Sequence, residues 1–103
     1  MQRGKIAPDL GLRIALERTT PTPLHQQLRE QLRRTILDGR LSSGTRLLST
    51  RTFARALGVS RPVTSSAYDE LLADGYLEGR HRSGTYTSWV REQPLFLSVV
   101  KRL

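Results

Sequence analysis

The sequence predicts a mainly α fold with a small β wing, a three-helix winged helix-turn-helix, and three observations carry that prediction. Ser49 to Asp74 reads as two helices joined by Gly58-Val59-Ser60, a turn of helix-turn-helix length that contains a glycine. Upstream, Leu24, Leu28, Leu32 and Ile36 recur every four residues and mark a longer amphipathic helix. Downstream, two short β-prone runs, Tyr76 to Arg80 and Thr85 to Trp89, flank Arg80-His81-Arg82-Ser83-Gly84, the pattern of a hairpin with a basic loop.

Taken in order, Met1 to Leu10 has scattered charges and no period, and reads as a tail. Leu12, Ile14 and Leu16 alternate with Arg13, Ala15 and Glu17, which predicts a short strand at the edge of the small sheet formed later. Thr19-Thr20-Pro21-Thr22-Pro23 breaks it, because each proline pushes its predecessor toward extended geometry. Thr22 before Pro23 then predicts a hydroxyl-capped helix running to Asp38 and closed by Gly39, with Arg29, Glu30, Arg33 and Arg34 outward. His25, in its first turn, is expected to pack or cap. Arg40 to Leu48 is a connector that turns at Ser42-Ser43-Gly44, and its Arg46 faces either solvent or a backbone phosphate.

In the helix pair, a hydroxyl at Ser49 or Thr50 caps the first member, Phe53 and Leu57 share its inner face, and Gly58 stops it with positive φ. Ser60 is expected to cap the second, with Pro62 in its first turn, where no N–H is needed. Val63, Ala67 and Leu71, with Tyr68 and Leu72 alongside, form its packing face; Arg61, Thr64 and Ser65 lie near the opposite side of its N-terminal turns. Asp74-Gly75 ends it. Beyond the hairpin, Val90 to Leu103 breaks at Pro94 and continues as a short apolar run.

Composition narrows the function. One hundred and three residues make one domain, and seventeen Lys and Arg against nine acids give a formal charge of +8 and a pI near 11.3. All but two of the cations are arginine, whose planar fork matches phosphates and guanine edges. A basic chain can also serve an anionic membrane, but no basic amphipathic helix with a broad aromatic face supports that. There is no cysteine, hence no disulfide framework or thiolate metal site, and no apolar run is long enough to span a bilayer. These features fit a cytoplasmic protein. Two distant histidines, with no nucleophile–base pair, carboxylate pair at metal spacing or phosphate-cradling glycine loop, argue against an enzyme.

From about Thr22 to Ser88 the sequence resembles the N-terminal DNA-binding domain of the GntR family of bacterial transcriptional regulators. The residues that carry the resemblance are PLHQQLR at Pro23–Arg29, ILDGRLSSGTRL at Ile36–Leu47, STR at Ser49–Arg51, LGVSR at Leu57–Arg61, AYDELLADGYL at Ala67–Leu77 and SGTY at Ser83–Tyr86. The STR, AY and SGTY flavours are similar to the MocR/PdxR branch. That branch resemblance implies a large C-terminal domain like a PLP-dependent aminotransferase, which the residues after Trp89 are too few to form. A fragment is therefore favoured over a natural short form, no cofactor is expected in this chain, and PLP is possible only in such a further domain. The family usually has Thr then Val where this chain has Val63-Thr64, which places a hydroxyl one helical step, about 100°, from its usual position.

The resemblance implies a winged fold that binds a palindromic operator as a homodimer, with family positions carried onto Arg51, Ser60, Arg61 and Gly84. Together with the groove-facing reading above, the candidate DNA-binding set is Arg51, Ser60, Arg61, Pro62, Thr64, Ser65, Arg80, His81, Arg82, Ser83 and Gly84. Arg61 is the candidate for direct base readout, and Arg51 and Ser60 for phosphate contacts that fix register. The expected organisation is a tail and short strand over 1–18, the winged helix-turn-helix over 19–89, and a linker-like segment over 90–103. The expected partner is a double-stranded DNA operator, with no membrane partner and no small-molecule effector bound by this segment. The competing reading is a protein-interaction module that uses the same shape. RNA binding ranks third, since it calls for aromatic platforms under unstacked bases.

Overall fold

The computed structural model describes residues 14–80 and 83–88. Its elements are α1 (Leu24–Leu37), α2 (Thr50–Leu57), α3 (Arg61–Ala73), β1 (Leu77–Arg80) and β2 (Gly84–Thr87). The four-residue spacing of α1 puts Leu28, Leu32 and Ile36 on one buried stripe. Pro23, not the Thr22 hydroxyl, sits at its N-cap, and no side chain caps it. The Thr22 carbonyl instead accepts from the Gln27 side-chain amide at 2.7 Å.

α2 begins as its sequence predicts. The Ser49 hydroxyl oxygen accepts from the Thr52 N–H at 3.2 Å, satisfying one of the unpaired donors of the first turn. Phe53 and Ala54 face inward, and the helix stops at Gly58, whose φ of 70° lets the Val59 N–H reach back to the Ala54 carbonyl at 3.0 Å. Ser60 occupies the N-cap position of α3 in extended geometry, but its hydroxyl makes no cap bond, contrary to expectation. Ala67, Tyr68 and Leu71 are buried along α3, Val63 is partly so, and Leu72 lies outside the packing face. The chain leaves α3 through Gly75, with the Tyr76 N–H on the Leu71 carbonyl at 2.9 Å, and enters β1 directly.

β1 and β2 pair antiparallel, Leu77 opposite Thr87 and Arg80 opposite Gly84. The connector adds a third, one-residue edge: Arg46 bridges Tyr86, the Leu47 N–H bonds the Thr85 carbonyl, and the Thr87 N–H bonds the Thr45 carbonyl, both at 2.9 Å. The buried Thr87 hydroxyl ties this corner together, donating to the Ser42 carbonyl at 2.7 Å and accepting from the Thr45 N–H at 2.9 Å. Phe53 and Tyr68, 6.2 Å apart at 45°, join α2 to α3 inside a core completed by Leu28, Leu32, Leu41, Leu47 and Leu77.

The alternating segment at the N-terminal end is not an edge strand. Ile14 is buried and the backbone that follows runs along α1, where two glutamines one turn apart hold it. Gln31 receives the Ala15 N–H at 2.9 Å and donates to its carbonyl at 2.6 Å; Gln27 does the same for Glu17 at 2.8 and 2.9 Å. Side-chain amides thus take the place of a neighbouring strand. Period-2 bonding met an i,i+4 pair on a helix, so the alternation was real but its partner was not a sheet. Leu12 and Arg13 lie outside the described residues.

Candidate nucleic-acid interface

The two helix starts of the helix-turn-helix are joined by one buried hydroxyl. Thr64 is fully buried, and its hydroxyl lies 2.7 Å from the Thr50 carbonyl and 2.9 Å from the Arg61 carbonyl. This corrects the expectation that Thr64 belongs to the contact surface. Its side chain turns inward because the first turn of α3 crosses the first turn of α2 here, leaving no space for water or DNA at that position. Its place is that of a pin: it holds the start of α2, where Arg51 follows Thr50, against the start of α3, where Arg61 stands. Ser60, Arg61 and Pro62 are exposed at that entry, Ser65 one turn on is half-buried, and Arg51 is exposed on α2. The exposed ridge of α3 continues to Asp69, whose charge is unfavourable beside phosphates. Favourable chemistry is therefore concentrated in the first two turns.

The hairpin forms the second part. Residues paired across an antiparallel ladder share a face, so Glu78, Tyr86 and Arg46 form one outer row, with Arg80 and Gly84 forming the next. The Arg80 guanidinium lies 3.9 Å over the Tyr86 ring, and its Nε donates to Glu78 Oε2 at 3.1 Å. Those two contacts fix the guanidinium over the ring. Ser83 is half-buried, with its N–H on the Arg80 carbonyl at 3.0 Å and its hydroxyl 3.3 Å from that of Tyr86. Gly84 closes the loop at φ 123°, a region that disfavours any residue with a Cβ. His81, Arg82 and Trp89 lie outside the described residues.

Residues 24–87 match the family model of bacterial regulatory proteins of the gntR family. The chain belongs to the GntR family. Among GntR relatives, the probable rhizopine catabolism regulatory protein MocR of Rhizobium meliloti is 49% identical over 81 residues, covering 79% of this chain. The HTH-type pyridoxine biosynthesis transcriptional regulator PdxR of Corynebacterium glutamicum is 45% identical over 74 residues, covering 72%. They put the domain in the MocR/PdxR-like branch, and the chain spans 16% of the length of either protein. The GntR-family transcription factor YtrA of Sulfolobus acidocaldarius has the same fold, with a TM-score of 0.69 at 24% identity over 87% of this chain and 98% of its own. So does the AraR DNA-binding domain solved in complex with operator ORE1, with a TM-score of 0.61 at 22% identity over 72% and 90%.

Charge in this GntR domain is partitioned. On and around α1, arginines meet carboxylates: Arg29 to Glu70 at 2.9 Å, Arg33 and Arg34 each to Glu30 at 3.4 Å, and Arg40 to Asp38 at 2.9 Å. Arg18 donates to the Gly58 carbonyl at 2.7 Å, tying the N-terminal segment to the helix-turn-helix turn. By contrast, Arg46, Arg51, Arg55 and Arg61 are exposed and meet no carboxylate or hydrogen-bond acceptor among the described residues. Three of these four lie on the helix pair and the fourth, Arg46, on the connector strand bridged to the wing. Sequence reasoning passed over Arg55, although its spacing of four from Arg51 puts both on one face of α2. His25 packs as expected, its Nδ1 3.7 Å from Glu70 Oε2 beside the Arg29 contact. Among the described residues no helix is long and apolar enough to cross a membrane, and no group of three or more His, Cys, Asp or Glu could hold a metal ion.

Proposed function

We propose that this chain is the operator-recognition domain of a bacterial transcriptional regulator and binds double-stranded DNA sequence-specifically. The first two turns of α3 enter the major groove, led by Arg61, with Ser60, Pro62 and Ser65 beside it. Arg51 takes phosphates at the start of α2. The wing, through Arg80, His81, Arg82, Ser83 and Gly84, lies on the backbone or in the adjacent minor groove. The observation that carries this reading is the charge partition: the arginines on and around α1 are paired with carboxylates, and Arg51, Arg55 and Arg61 on the helix pair are not. The same fold in the AraR DNA-binding domain takes an operator. The domain comprises residues 19–89, works as a homodimer in the cytoplasm, performs no catalysis and holds no cofactor or effector itself.

Selection of bound duplexes from a random pool tests it. The expected result is an inverted repeat containing guanines, with half-sites about 10 bp apart or a multiple of it. No enrichment, together with binding that does not change with salt, would reject the proposal in favour of a protein-interaction module, since phosphate contacts impose a log–log salt slope near −0.9 each.

A further inference from the structure

We infer that Arg46, on the connector, is a DNA-contact residue that takes a backbone phosphate beside the wing. The inference rests on the DNA-binding reading above and adds a position outside both the recognition helix and the hairpin loop. Four observations place it there. The backbone of Arg46 is fixed by its bridge to Tyr86 and by the 2.9 Å bonds at Leu47 and Thr87 on either side. That pairing puts its side chain on the outer face of the sheet, opposite the buried Leu77 and Thr87. The side chain then runs toward the hairpin loop across Gly84: a Cβ built on Gly84 would lie 3.3 Å from Arg46 Nε and 3.9 Å from Nη2. Finally, the acid on the same face, Glu78, is already engaged by Arg80 Nε.

The result is a guanidinium carried on a rigid strand, laid along the one loop position with no side chain, and left without a counter-charge among the described residues. A cation held this way loses little freedom when an anion arrives, and its fork suits a phosphate. Gly84 therefore does more than supply a turn, because it leaves open the track that the Arg46 side chain follows. The contact is to the backbone, since a phosphate-directed arginine fixes position and carries no sequence information.

Salt titrations of the whole chain on a random duplex and on a selected duplex test this, comparing wild type with Arg46→Ala, Arg46→Lys and Arg34→Ala. Arg46→Ala should flatten the log–log slope by about 0.9, so that a fourfold rise in salt costs it roughly 3.5-fold less affinity than wild type. It should weaken both duplexes by the same factor, and Arg46→Lys should keep the wild-type slope. Arg34, paired to Glu30, should be replaceable without effect on the slope. Melting temperature should not move with Arg46→Ala, because the strand pairing is made by backbone atoms. An unchanged slope and affinity in Arg46→Ala would overturn the inference, as would a loss confined to one base position. If wild type itself shows no salt-dependent binding, the DNA-binding reading falls first and this inference with it.

Discussion

Replacing Tyr68 by Phe isolates one bond that sets the recognition helix against the rest of the fold. The Tyr68 hydroxyl donates to the Leu48 carbonyl at 2.6 Å, and Leu48 immediately precedes the Ser49 cap of α2. The ring is buried against Phe53 and stays in place in the variant, so no cavity enters the magnitude. What is lost is the bond, which leaves the Leu48 carbonyl without that donor; an acceptor deprived of its partner costs about 1–3 kcal/mol, and the middle of that range, about 1.5–2 kcal/mol, is expected here. For a domain of this size each kcal/mol moves Tm by about 4–8 °C, so Tm should fall by roughly 6–16 °C. The assay is thermal unfolding followed by far-UV circular dichroism at pH 7. A fall smaller than about 2 °C would refute the reasoning. The same group gives a second readout. Burial pushes the phenol well above its ordinary value of 10.0, so above that pH the unfolded chain releases a proton that the folded chain keeps. The folded state then binds more protons, and stability falls as pH rises past 10. Wild type should lose stability faster than Tyr68→Phe above pH 10, and their melting temperatures should converge.

Gly58→Ala should cost about 1–2 kcal/mol in urea unfolding, all of it from forcing an L-residue to φ 70°, because an added Cβ there meets nothing within 4 Å. An unchanged midpoint would mean the turn relaxes to another geometry. The double variant Gln27→Ala with Gln31→Ala should raise amide exchange at Ala15 and Glu17 by at least tenfold while leaving the core amides of α3 protected; equal protection in both proteins would show that Ile14 alone holds the segment. Arg61→Ala should relax preference at one base pair by roughly 1–3 kcal/mol, whereas Arg82→Ala should weaken all duplexes alike, measured by binding to a panel of single-position operator variants. Identical behaviour of the two would undo the division between base reading and backbone holding.

The helices were legible because each is punctuated by residues whose chemistry acts locally: Ser49 as cap, Gly58 and Gly75 as stops, Pro62 in a first turn where its missing N–H costs nothing. The hairpin was legible for the same reason, although β1 starts one residue later than its β-prone run, at Leu77, and β2 starts one residue earlier than its run, at Gly84, and ends at Thr87. What could not be read were the long-range partners. Alternation at Ile14 and Leu16 signals an extended segment but not what bonds it, and nothing local marks Gln27 and Gln31 as its partners rather than solvated polar residues. Thr64 was misplaced because a threonine among polar neighbours looks like surface; only the crossing of α3 over Thr50 makes it interior. Arg46 stayed ambiguous because the third edge of the sheet is a single bridge, too short to leave a periodic trace.

The placement of Thr64 bears on how the helix pair works. α3 is held at three heights by three different elements: Thr64 to the start of α2, Tyr68 to the connector, and Glu70 to Arg29 of α1 at 2.9 Å. The first two contacts are buried neutral hydrogen bonds, while the third is a half-exposed ion pair worth at most about 1 kcal/mol. Of these two firm attachments, Thr64 lies in the first turn of α3, between Arg61 and Ser65, and Tyr68 at its middle. A helix that must present its first two turns to a groove needs its orientation fixed there, because displacement at the reading end is what moves a side chain off a base edge. The Thr64 hydroxyl sits in the helix crossing, and the arginine three residues before it faces outward with its own carbonyl anchored by that same hydroxyl.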